Sequence, residues 1–106
     1  MERALDTILR EYRRRLEEIY GPRLLGLVLF GSRARDDADP DSDIDVLIIL
    51  SGPLDDWAET QRTSKVTSET SMEFDADIAR MFAAAEDYAD KTLPFYQAVR
   101  REGVNV

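Results

Sequence analysis

The sequence contains neither cysteine nor histidine, and these two absences remove much of the usual catalytic repertoire. Without cysteine there is no disulfide framework, no thiol nucleophile and no cysteine-built zinc site. Without histidine, the common general base at neutral pH and the common transition-metal ligand are missing too. Any chemistry has to run on carboxylates, hydroxyls, Arg, Lys and backbone. No apolar run approaches the roughly 20 residues needed to cross a bilayer. Met1-Glu2-Arg3 leads into an amphipathic stretch and not a signal peptide, so the expected location is cytoplasmic. Positive charge is also scarce: 14 Lys and Arg against 22 Asp and Glu leave a net charge of −8. That balance argues against direct nucleic-acid binding, because phosphate backbones attract basic surfaces.

What is present is unevenly spread. Six aspartates crowd into residues 36 to 45 (Asp36, Asp37, Asp39, Asp41, Asp43, Asp45), while Arg10, Arg13, Arg14 and Arg15 make the first helix locally basic. Such an acidic patch can attract metal ions or a basic protein partner, and the basic run reads as a solvated helix face. The 106 residues suit one domain, 1–106, built on one core.

Residues 2 to 20 carry Leu5, Ile8, Leu9, Tyr12, Leu16 and Ile19 at helical spacing, and Gly21-Pro22 ends that helix. Leu24 to Phe30 and Ile44 to Leu50 read as buried strands, the second central in its sheet. Residues 54–71 suggest a helix of weak periodicity. Residues 72–81 read as a third strand, because Phe74, Ala76 and Ile78 alternate with Asp75, Asp77 and Ala79. Short helices are expected over 82–91 and from Pro94 to near Gly103. The order predicts an α/β (α+β) fold, a small mixed sheet flanked by helices. Tyr12, Tyr20, Trp57, Tyr88 and Tyr96 read as core or helix-packing residues.

The candidate site lies where the two apolar strands face each other in sequence. The first ends in Gly31-Ser32, and the second opens with Asp43-Ile44-Asp45. Residues two apart on a strand share a face, so Asp43 and Asp45 point the same way. Two adjacent carboxylates repel unless a cation or proton lies between them, and Mg2+ is typically held by one or two carboxylates with phosphates and water. A lone Asp-x-Asp at the end of an acidic loop would mean little. Here the pair opens an apolar strand, where unpaired carboxylates are costly. Gly31 lets backbone approach a phosphate, and Ser32 adds a hydroxyl donor, although a simple tight turn has the same composition. Arg33 and Arg35 either clamp phosphate oxygens or pair with a loop aspartate and hold the loop. Asp75 and Asp77 share a face of the expected third strand and are both candidates for a third carboxylate. Asp77 is preferred, being followed by Ile78 as Asp43 is by Ile44.

The stretch Leu27 to Leu50, with its Gly-Ser, ten-residue spacer and Asp-x-Asp between apolar strands, resembles the signature of the nucleotidyltransferase superfamily related to DNA polymerase beta. Its Gly-Ser-x-Ala-Arg form and small size are most similar to the minimal nucleotidyltransferases (MNT), and the tail from Leu93 to Val104 is similar to theirs. The resemblance implies a polymerase-beta palm-like fold and an Mg2+-dependent enzyme. It would transfer a nucleoside monophosphate, AMP from ATP, to a hydroxyl. By position, Gly31 and Ser32 would hold the triphosphate with Arg33 and Arg35 close by. Asp43 and Asp45 would hold the metals, and Asp77 or Asp75 would be the third acid. Many minimal nucleotidyltransferases are MntA-type antitoxins paired with HEPN ribonuclease toxins, and some AMPylate a toxin tyrosine. The chain departs from the pattern at Asp36, where the family often has Gly after Arg.

Larger members of that superfamily grip the acceptor with a second domain, for which 106 residues leave no room. The acceptor is therefore expected to be a partner protein such as a HEPN toxin, or to be held by a second copy of this chain. Three functions follow: AMPylation of a protein partner, a non-catalytic antitoxin or regulatory module acting by contact, and a small-molecule nucleotidyltransferase completed by dimerisation. None involves a membrane.

Overall fold

In the computed structural model, which describes residues 3–35 and 41–106, the chain runs α1 (Arg3–Tyr20), β1 (Leu24–Phe30), β2 (Ile44–Leu50), α2 (Asp56–Phe74), β3 (Ile78–Ala84), α3 (Ala85–Ala89), α4 (Pro94–Glu102) and β4 (Val104–Asn105). A single 3-10 turn, Gly21–Arg23, closes α1 and redirects the chain into β1, with Gly21 at φ +54°. The sheet order is β3-β2-β1-β4. β1 pairs antiparallel with β2 and β4, whereas β2 and β3 run parallel and are joined by the α2 crossover.

The two sheet faces have different cores. Leu27, Leu29, Ile44, Val46, Ile48, Leu50 and Ile78 point to the side of α1 and α2, where they pack on Leu5, Leu9, Tyr12 and Leu16. Val28, Leu47 and Ile49 point the other way, toward Ala83 and Val99, with Tyr88 and Tyr96 around them. β2 is covered on both faces and is apolar after its acids for that reason.

The expected helix over residues 54–71 exists but runs further, to Phe74, and the expected strand over residues 72–81 does not begin there. Asp75 instead adopts a left-handed conformation (φ 50°) that ends α2, its N–H donating to the carbonyls of Met72 and Ser71. The strand starts only at Ile78. The cause is the buried face of α2, which consists of Glu59, Thr63, Thr67 and Thr70. Hydrophobic periodicity cannot register a helix that packs through polar groups. Those groups are satisfied: Tyr12 Oη and Thr67 Oγ1 share a 2.7 Å hydrogen bond, Arg80 Nε donates to Thr63 Oγ1, and Arg15 donates to Thr70 Oγ1. Tyr20 Oη and Arg62 both donate to Glu59. Trp57, expected to pack inside, is 73% exposed on the first turn of α2. Among the described residues, no helix is long and apolar enough to cross a membrane.

Candidate active site at the head of the central strands

The two strands carrying the motif are neighbours, and their register puts Phe30 opposite Asp45. Gly31 therefore turns away from the sheet beside the second aspartate. Its φ is +75°, and a Cβ added there would come within 2.5 Å of Asp45 Oδ2. Glycine is required twice over, for the backbone conformation and for the space the carboxylate occupies. After it the chain makes a tight turn, with Ala34 N–H donating to Gly31 O and Arg35 N–H to Ser32 O.

Asp45 is partly buried and Asp43 exposed. Burial, and after it the charge of Asp43, push the Asp45 carboxyl above the usual aspartate range. Two carboxylates this close in sequence at the head of one strand are a donor set suited to a divalent cation, which would relieve the repulsion that Asp43 exerts on Asp45. The chemistry of the pair thus fits Mg2+.

The remaining expected residues are placed as follows. Arg33 Nη1 donates to Ser42 O at 3.0 Å, so it ties the turn to the start of β2. Arg35 forms an ion pair with Glu102 of α4 at 3.5 Å. Asp77 precedes β3, and its carbonyl accepts the Ile44 N–H at 2.8 Å. With Ile44 paired to Ile78, Asp77 precedes β3 as Asp43 precedes β2 on the neighbouring strand, whereas Asp75 sits back at the helix end. Among the described residues no three acidic side chains converge as a metal-binding group. Asp77 and Asp75 instead line a cavity of about 300 Å3 with Arg33, Asp41, Ser42 and Ile44. Asp36, Asp37 and Asp39 of the acidic loop lie outside the described residues.

One feature of the site was not read from the sequence. Phe30 meets Phe95 edge to face, with ring centroids 5.6 Å apart, and Phe95 is 43% exposed. Its only signal is its place after Pro94 at the start of α4.

Comparisons with known proteins point the same way as this geometry. A family model described as "Nucleotidyltransferase domain" matches residues 9–98. A protein of Methanocaldococcus jannaschii, MJ0141, provisionally named a protein adenylyltransferase, is 35% identical over 68 residues, which cover 64% of this chain and 68% of that one. The fold is shared with a provisionally named nucleotidyltransferase from Sulfolobus solfataricus (TM-score 0.63, 18% identity, 99% of this chain and 86% of that one). It is also shared with a chain from a toxin-antitoxin crystal structure with AMP-PNP (TM-score 0.60, 22% identity, 90% and 69% covered).

Proposed function

The chain belongs to the nucleotidyltransferase family, and from that premise we propose that it transfers AMP from ATP to a hydroxyl of a partner protein, a tyrosine of a HEPN-type toxin above all. The observation that supports this reading most is the close approach of Gly31 to Asp45, a glycine turn lying directly against one of two neighbouring carboxylates. The protein acceptor is supported by the name of the M. jannaschii relative. The antitoxin role is supported by the toxin-antitoxin assembly in which a chain of this fold occurs.

Each residue has a distinct part. Gly31 lets the turn lie against Asp45, so that the backbone N–H groups of the turn can meet the triphosphate beside the carboxylates, and Ser32 donates its hydroxyl to a phosphate oxygen. Asp43 and Asp45 would hold Mg2+, which when bound draws charge from the α-phosphate and the leaving oxygen. Asp77 takes the proton of the attacking hydroxyl. Arg33 ties the turn to the start of β2, and Arg35, which pairs with Glu102, would turn toward the leaving phosphates.

The test is incubation with Mg2+, α-labelled ATP and the co-purifying partner, followed by intact mass of both chains. The expected result is a gain of AMP on the partner that disappears in Asp43→Asn, with thermal unfolding showing that the variant remains folded. A second reading, a binding-only module, is favoured by the failure of a third acid to join the pair among the described residues. It requires that neither chain gains AMP and that Asp43→Asn still neutralises the partner.

A further inference from the structure

The sheet face that carries Asp45 is covered unevenly. α3, α4 and their aromatic neighbours close it over Val28, Leu47, Ile49 and Ala83. Toward the start of β3 the cover ends: Ala83 is 1% exposed, Met81 is 46% exposed, and Ala79 is exposed. Ala79 is the register partner of Asp45, and β3 is an edge strand. Among the described residues, a single methyl group therefore stands between Asp45 and the open side of the sheet.

The other side of Asp45 is occupied differently. Gly31 and the turn after β1 lie against its carboxylate, and β1 and β3 flank β2 on opposite sides. In an in-line displacement at phosphorus the entering and leaving oxygens stand opposite each other. If the turn holds the phosphates that leave, the entering oxygen has to come from the β3 side. Resting on the transfer reading above, we propose that the acceptor hydroxyl enters across the edge strand over Ala79, and that the small side chain at position 79 sets acceptor access. In this step the hydroxyl oxygen bonds to the α-phosphorus while the bond to the bridging oxygen breaks. Pyrophosphate departs with that electron pair on the Gly31 side, and the hydroxyl proton passes to Asp77.

The route also describes its occupant. Asp77, two residues before Ala79, is exposed, so the fitting partner is a protein segment whose hydroxyl is flanked by a basic side chain. The strand spacing of about 4.8 Å means that the hydroxyl need cross only one strand to reach the pair.

Ala79→Trp fills the path, and Ala79→Ile, β-branched and suited to an exposed strand position, is the second variant in case the first does not fold. The measurements are AMP incorporation into the partner chain identified by intact mass, Mg-ATP affinity by titration calorimetry, and thermal unfolding. The expected result is a loss of transfer on the order of 100-fold, the scale for a misplaced reacting group, with Mg-ATP affinity kept within about 3-fold and Ala79→Gly at least as active as the unsubstituted protein. Unchanged transfer in a folded bulky variant overturns the proposal. So does parallel loss of Mg-ATP affinity, which would put position 79 on the nucleotide side. No transfer by the unsubstituted protein would instead overturn the reading on which the proposal rests, so the two failures are distinguishable.

Discussion

Gly31 combines a backbone demand with a spatial one, and the two can be separated by experiment. Replacing it with Ala brings left-handed strain of about 1–2 kcal/mol and drives a methyl toward Asp45 Oδ2. Gly52 supplies a control, because it too has a positive φ (+81°) but its nearest neighbour for an added Cβ is Arg23 Nε at 3.9 Å, away from the acids. Both Gly31→Ala and Gly52→Ala should lower the melting temperature, by roughly 5 °C per kcal/mol for a domain of this size. Only Gly31→Ala should weaken Mg-ATP binding, since only there does the methyl displace a carboxylate of the pair. Calorimetric unfolding beside an Mg-ATP titration of the two variants checks this, and equal loss of affinity in both would remove the special role of Gly31. The glycine and the paired aspartates were legible in the sequence because their chemistry is carried by residue type and spacing along two strands. The third acid was not legible to the same degree. The choice between Asp77 and Asp75 depends on where α2 ends, and the polar buried face of that helix leaves no apolar periodicity to mark its end.

At the scale of elements, α1, β1, β2 and α4 follow from apolar periodicity and from the breakers Gly21-Pro22 and Pro94, and the structure has them at the expected positions. β4 is two residues long, too short to leave a pattern. α2 is where the pattern fails, because its inward face is polar. Glu59, 1% exposed, is its most consequential member. Burial alone would raise its carboxyl, but hydrogen bonds from Tyr20 and Arg62 and the Asp55 N–H, with the Arg62 charge, hold it below the ordinary range. The folded state therefore releases the Glu59 proton more readily than the unfolded chain does. The stabilisation is fully present above the ordinary glutamate value of about 4.3 and is lost as pH falls below it through the lowered folded value. Glu59→Gln should be less stable than the parent at pH 7 and should show a flatter decline in stability between pH of about 5 and 3. Urea unfolding at a series of pH values checks both. A variant with the parental slope would show that other carboxylates govern the acid limb.

For the whole molecule, the sheet order gathers the charge of the site at one end. Asp43 and Asp45 head β2, and Asp75 and Asp77 precede β3 at the same end of a parallel pair. The chain carries a net charge of −8, so self-repulsion opposes the folded state most strongly at low ionic strength. Any salt relieves part of that repulsion by screening, over a Debye length of about 10 Å at 0.1 M. A divalent cation bound between Asp43 and Asp45 adds a contribution of a different kind. It stabilises by mass action, about 2.7 kcal/mol when free Mg2+ is 100 times its dissociation constant. The two effects separate when MgCl2 and NaCl are compared at matched ionic strength. The unsubstituted protein should melt higher in MgCl2, with a rise that saturates, and Asp43→Asn/Asp45→Asn should melt at the same temperature in both salts. That double variant should also start from a higher melting temperature at low salt, because it lacks the partly buried charge and, after it, the repulsion from Asp43 that together keep the Asp45 carboxyl above its usual range. Equal melting of the unsubstituted protein in both salts would leave the pair without a resident cation before nucleotide arrives. Mg2+ would then bind only together with ATP, whose phosphates supply the ligands that two carboxylates do not.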